Sequence, residues 1–283
     1  MCFAVYTKNM IEFWFVVIFL FGLAVGSFLA AYTYRWSRGI KISKGRSFCP
    51  KCKKKISFFD NIPLLSYIFL HGKCRQCKKK ISIRYPLIEF STALVFVLIF
   101  YFLNNCTTTV QGSFLHAPMV CGWKGLIGFW VLPHFLFIAS ALITIFVIDF
   151  EYQIIPDELV FLLFFLTTFA LILFSPDKLY QSLLTGFLVA ISLLVLHLAT
   201  RGRGMGLGDV KLALFGGLLF GWPLTYTWLF LSFIIGAVVG IILLAFKKAK
   251  MGKPIPFGPF LVVSFFITLF WGEKVTKLIM PFT

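Results

Sequence analysis

Apolar residues along this chain fall into runs of about 17 to 25 positions, broken by short polar stretches. Runs of that length cross a bilayer as single helices. Eight spans are predicted, near 11–34, 87–103, 125–148, 158–175, 180–199, 208–222, 225–246 and 256–272. The sixth is the weakest. It opens on charged Asp209 and Lys211 and carries Gly216, Gly217 and Gly221, so it is expected to begin at an interface or in a water-filled cleft. The first run is too long for a signal peptide and lacks a small-residue cleavage site, which predicts a retained helix. The pattern breaks once, over 35–86, which is polar, basic and cysteine-containing and reads as a small soluble domain between the first two spans. No internal repeat or low-complexity linker is evident. The expected fold is an all-α polytopic membrane protein with about eight transmembrane helices. Its parts are a first helix over 1–34, the polar domain over 35–86, a second helix and its loop over 87–124, and a helical membrane domain over 125–283.

Composition agrees. The chain is 60% hydrophobic and 13% charged with a mean hydropathy of +0.94, too little polar surface for a water-soluble fold of this length. The net charge of +17 reads as topology rather than nucleic-acid binding, because basic residues gather in cytoplasmic loops. With the N-terminus outside, segment 35–86 lies in the cytoplasm with 15 Lys and Arg. Arg201, Arg203, Lys211 and the lysines at 247, 248, 250 and 253 join it. The opposite side keeps only Lys8, Lys124, Lys178, Lys274 and Lys277. Loops 149–157 and 200–209 are therefore both expected on the cytoplasmic face.

Within 35–86 the chain reads Cys49-Pro-Lys-Cys52 and, 21 residues on, Cys74-Arg-Gln-Cys77. Each such pair aims two sulfurs at one point, and two pairs fill a tetrahedral shell. A segment of this size has too little core to fold without a staple. Structural zinc on Cys49, Cys52, Cys74 and Cys77 is expected. Free thiols and an iron–sulfur centre are the alternatives, and disulfides are disfavoured in a reducing cytoplasm. Four ligands leave no open position for Lewis-acid chemistry. Cys106 and Cys121 fall on the extracytoplasmic loop, either as a disulfide or as unpaired thiols.

Ten acidic residues can be weighed one by one. Asp149 ends a long apolar run, where a carboxylate is costly and a functional role is the default. Asp209 sits in Gly206-Leu-Gly208-Asp209, where glycines allow a close approach. Two carboxylates at one depth suit an aspartyl protease, in which one holds a proton while the other activates water. The alternative for Asp209 is a helix N-cap. Asp157, after Pro156 and before Glu158, reads as the cap and negative first turn of the fourth span. Glu151 reads as a loop residue, Glu89 as an interfacial partner of Arg84, and Asp60 as a turn residue. His134 and His197 are expected to be hydrogen-bonded within the bundle, and neither pairs with a convincing Ser or Cys.

Taken in order, these residues resemble the prepilin peptidases of type IV pilus, type II secretion and competence systems, over nearly the whole chain. The resemblance rests on Gly26-Ser-Phe-Leu29 with Tyr34-Arg35, and on two CxxC pairs flanking Asp60-Asn-Ile-Pro-Leu-Leu-Ser66. Further along come Arg84-Tyr-Pro-Leu-Ile-Glu89, Asp149 with Ile155-Pro-Asp157, Gly206-Leu-Gly-Asp209-Val-Lys211, and Ile255-Pro-Phe-Gly-Pro-Phe260. Ala30 stands where many relatives carry Asn. The resemblance implies that Asp149 and Asp209 are the catalytic pair of a membrane aspartyl peptidase domain over 125–283. It implies cleavage of prepilins and pseudopilins after a Gly, at the cytoplasmic face of a bacterial inner membrane. It also implies N-methylation of the new terminus from S-adenosylmethionine, a second activity associated with the zinc-bearing domain.

No Gly-rich nucleotide loop follows a strand in this chain. A methyl-donor pocket is therefore expected between 35–86 and the cytoplasmic loops, with Gly72 and Lys73 beside Cys74 as candidate contacts. Glu151, Asp157 and Glu158 form the acidic cluster expected to attract a basic leader. Three other readings fit the residues less well. A presenilin-like protease would carry Tyr-Asp, whereas Ile148 precedes Asp149. A transporter would show a repeat or broken mid-membrane helices. A zinc-binding module without chemistry would leave both aspartates unexplained.

Overall fold

A computed structural model describes residues 2–41, 47–104, 126–202, 204–247 and 255–280. Cys106 and Cys121 lie outside these residues. The long elements are all helices: α1 (Cys2–Trp36), the short α2 (Leu65–Phe69), α3 (Arg84–Asn104), α4 (Leu126–Tyr152), α5 (Asp157–Phe174), α6 (Pro176–Ala199), α7 (Leu207–Phe220), α8 (Leu224–Ala245) and α9 (Gly258–Ile279). Seven of them, α1, α3–α6, α8 and α9, are long and apolar enough to cross a membrane. Besides the short α2, the exception is α7, the expected sixth span. Its 14 residues reach about 21 Å at the α-helical rise, short of the ~30 Å hydrocarbon core. Their outward surfaces are rich in Phe, Leu and Ile, as lipid-facing helices require.

The chain forms two units, 1–102 with 134–144, and 103–133 with 145–283. In the first, α1 and α3 pack backbone to backbone through small residues. A Cβ on Gly22 would lie 2.6 Å from Ala93 Cα, and one on Gly26 would lie 2.7 Å from Glu89 Cα. Small residues four apart let helices approach where no hydrophobic force distinguishes partner from lipid. Phe15 meets Phe100 edge to face at 4.9 Å, and Arg84 donates to Thr33 Oγ1 at 2.7 Å.

The polar segment between them corrects one expectation, for it contains a repeat. Cys-x-x-Cys-Lys-Lys-Lys-Ile-Ser occurs at 49–57 and again at 74–82, and both copies fold alike. Cys49 N–H donates to Lys54 O and Lys53 N–H to Cys49 O; Cys74 N–H donates to Lys79 O and Lys78 N–H to Cys74 O. Isolated antiparallel bridges close each copy, Phe48 with Lys55 and Lys73 with Lys80. Lys53 and Lys78 hold φ of +57° and +55° at the same point of each turn.

In the second unit α6 and α7 meet at Gly186 and Gly217, where a Cβ on Gly217 would lie 2.7 Å from Gly186 Cα. The pair α8 and α9 is joined by Trp228 Nε1 to Leu261 O at 2.9 Å and by the Thr227 and Thr276 hydroxyls at 2.7 Å. A second correction concerns Glu151, expected in a loop. It stands on the last turn of α4, which runs on to Tyr152. Nothing earlier breaks the helix: it ends where Gln153 takes φ +57°, just before Ile155, which Pro156 biases to extended backbone.

Candidate active site and metal centre

Four helix ends of the second unit converge: the C-terminus of α4 and the N-termini of α5, α7 and α9. Asp149, at the end of α4, is 5% exposed, and Asp209, in the first turn of α7, is 6% exposed. They stand 60 positions apart in sequence, yet close enough for the charge of Asp149 to act on Asp209. Asp209 is not the N-cap of α7. That position is Gly206, and Asp209 Oδ2 reaches back to accept the Gly206 N–H at 3.1 Å. This satisfies one of the helix's orphan donors and fixes the carboxylate. Oδ2 of Asp149 is buried and completes no hydrogen bond among the described residues, although the Gly258 amide lies beside the carboxylate. Buried polar atoms are rarely left so; this one is placed to receive a water or a reacting group.

Two glycines make the convergence possible. A Cβ on Gly258 would lie 2.5 Å from Asp149 Oδ2, and one on Gly208 would lie 2.8 Å from Ile155 Cβ. Ile155, in turn, packs toward Gly258, 3.3 Å from the position of its missing Cβ. The α4–α5 connection is thus wedged between the N-termini of α7 and α9. Gly208 and Gly258 belong to motifs that sequence reading singled out without assigning either residue this contact; only the fold reveals it.

Glu151, Asp157 and Glu158 are exposed at this same end. Asp157 is the first residue of α5 rather than its cap, which is Pro156. No side-chain cap bond forms. Instead Lys211 Nζ donates to both of its carboxylate oxygens, at 2.8 and 2.7 Å. That ion pair ties the first turn of α5 to that of α7. His197 Nδ1 lies 2.7 Å from Met205 O and steadies the connection leading into α7, the bonded role expected for it.

In the first unit Cys49, Cys52, Cys74 and Cys77 come together with all four sulfurs within 4.8 Å of one another. The Cys49 and Cys77 sulfurs are 4.0 Å apart. A tetrahedral zinc with bonds of about 2.3 Å needs sulfurs about 3.8 Å apart, so the thiols fit a zinc ion with small adjustment. Gly72, just before Cys74, is buried at φ +66°, and a Cβ there would meet the Tyr67 hydroxyl at 3.0 Å. Lys73 is exposed on the second bridge. Asp60, expected in a turn, lies in a 3₁₀ turn over Phe59–Asn61, bidentate with Arg75 at 2.7 Å. Glu89 Oε2 accepts the Leu64 N–H at 2.8 Å.

Fold and site together define a multi-pass helical membrane protein with a pair of buried carboxylates in one unit and a four-cysteine cluster in the other. Residues 20–103 match the Bacterial Peptidase A24 N-terminal domain, and residues 136–241 match the Type IV leader peptidase family. Relatives named prepilin leader peptidase/N-methyltransferase align over most of both chains. One from Pseudomonas aeruginosa is 32% identical, covering 93% of this chain and 92% of its own. One from Legionella pneumophila is 32% identical, covering 93% of each, and one from Vibrio cholerae is 30% identical, covering 92% and 98%. The chain belongs to the type IV leader peptidase family. No solved structure matches it.

Proposed function

We propose that this protein cleaves the leader from type IV prepilins and pseudopilins and methylates the new N-terminus, with Asp149 and Asp209 as the peptidase pair. The names of its relatives carry the activity. The observation that carries the residues is the pair itself, two buried carboxylates within electrostatic range at one end of the second unit. Nearby carboxylates resist double ionisation and share a proton. The ionised member takes a proton from water as its oxygen attacks the scissile carbonyl carbon. The protonated member passes its proton to the leaving amide nitrogen as the C–N bond breaks. Water is consumed, and the pair is returned with one proton.

Placement follows from charge. Segment 35–86 and the connection around 200–211 hold 18 of the 27 Lys and Arg, which supports a site at the cytoplasmic face of the inner membrane. A substrate anchored in the bilayer by its apolar helix presents its leader junction at that interface. Glu151, Asp157 and Glu158 offer negative charge to the basic leader, with Lys211 drawing part of it from Asp157. The four cysteines hold a structural zinc that staples the polar segment. S-adenosylmethionine, when bound, would supply the methyl group to the new terminal amine, whose proton would go to solvent. Detergent-purified protein incubated with a panel of prepilin-like substrates, followed by mass analysis of the products, tests both activities. The expected products have lost the leader and gained one methyl group.

A further inference from the structure

The first unit contains a cavity of about 730 Å³, in the range that encloses a small organic ligand. One wall is the α1 face carrying Ser27, Ala31 and Tyr34. The polar segment from Phe48 to Tyr67 faces it, and Tyr85 and Glu89 of α3 complete the lining. Its lining carries both signs, with Arg35, Lys54, Lys55 and Arg75 beside two acids. Segment 35–86 has 15 Lys and Arg and a single acid, Asp60. That acid and the next along the chain, Glu89, both line this one cavity.

Both carboxylates are held in place. Arg75 fixes Asp60 through bonds of 2.7 to 3.0 Å. Glu89 is 8% exposed, its Cα is set by the close approach of Gly26, and its Oε2 accepts the Leu64 N–H. Leu64 adopts φ +57°, a region branched aliphatic residues rarely enter. Such strain persists where the surroundings over-determine it, and it gathers at ligand clamps. The rings of Phe48, Tyr34, Tyr67 and Tyr85 also line it, with arginines already over Phe48, Tyr34 and Tyr85 at 5.9, 3.9 and 6.0 Å, and aromatic rings stack on flat heterocycles. A buried carboxylate suits the cationic part of an organic ligand, and Lys54 and Lys55, also in the lining, can pair with a carboxylate of the same ligand.

We propose that this cavity is the methyl-donor site, in which Glu89 faces the cationic half of S-adenosylmethionine and the aromatic rings take its adenine. The assignment rests on the methylating activity proposed above. It places the donor between the polar segment and the faces of α1 and α3, with Gly72 behind Tyr67 as support rather than in the lining.

Equilibrium dialysis of the full-length, zinc-loaded protein with radiolabelled S-adenosylmethionine, and separately with S-adenosylhomocysteine, tests it. Glu89→Gln keeps an acceptor for Leu64 but removes the charge. It should weaken binding of the sulfonium at least tenfold and shift the affinity ratio toward the neutral thioether. Ala31→Phe lies outside the zinc segment and fills the cavity, so it should weaken both ligands alike. Zinc content at the wild-type level reports that each variant is folded. If the wild type binds S-adenosylmethionine and both folded variants bind it equally well, the cavity is not the site and the methylating activity stands. If the wild type binds none, both the site and that activity fall.

Discussion

Gly258 lies so close to Asp149 that a Cβ on it would stand 2.5 Å from Oδ2 and 3.0 Å from Cγ. The N-terminus of α9 therefore takes part in the carboxylate centre although it supplies no titratable group. Even the smallest substitution, Gly258→Ala, must push the carboxylate or the helix aside. Misplacement of a reacting group by about 1 Å costs roughly a hundredfold. Gly258→Ala should thus lower the rate of leader cleavage at least tenfold, measured on protein that still inserts and purifies normally. Wild-type cleavage by this variant would remove α9 from the site.

Asp157 and Lys211 make a different kind of contact. Their side chains are 53% and 38% exposed, and exposed pairs contribute about 0–1 kcal/mol. Asp157→Ala and Lys211→Ala should each keep measurable cleavage and lower the melting temperature only slightly. Complete loss of cleavage in Asp157→Ala would instead make Asp157 one of the reacting pair.

Purified protein should contain about one zinc per chain, as a four-thiolate site holds a single ion. Cys49→Ser or Cys77→Ser should lower zinc content and expose segment 35–86 to added protease, because the two cysteine turns have few other ties. Elemental analysis that finds iron with acid-labile sulfide would overturn the zinc assignment.

The apolar run lengths sufficed to read the seven long helices, and the Cys-x-x-Cys pairs sufficed for the four-cysteine cluster, because both signals are local. Each feature that escaped depends on a contact or on counting. The Asp149–Asp209 pair is not among them, for the shared depth of the two carboxylates already suggests it. Glu151 stays helical because the next breaker is Pro156. Asp157 makes no cap bond because it stands one residue inside α5, where Lys211, 54 positions on, takes both of its oxygens. The repeat was visible in the letters: Lys-Lys-Lys-Ile-Ser follows both cysteine pairs, and attention to the cysteines alone passes over it. Gly26 and Glu89 look like functional signature residues, yet they also pack α1 on α3.

Gly72→Ser should impair methylation more than cleavage. Gly72 holds φ +66°, which strains any L side chain there, and the added Cβ would press on the Tyr67 hydroxyl at 3.0 Å. Tyr67 lines the cavity in the first unit, whereas both aspartates lie in the second. Mass analysis of processed substrate separates leader loss from methyl gain. A parallel fall of both activities in folded protein would mean that the polar segment only supports the peptidase.

The most direct measurement is leader cleavage by Asp149→Asn and Asp209→Asn protein, followed by the mass of the substrate. An amide keeps the shape of the carboxylate but cannot carry the proton, and losing positioned acid–base chemistry costs about 10²- to 10⁴-fold. Each variant should insert normally and leave the substrate with its leader attached, at a rate at least about a hundredfold below wild type. Cleavage at the wild-type rate by either variant would contradict the paired-carboxylate mechanism.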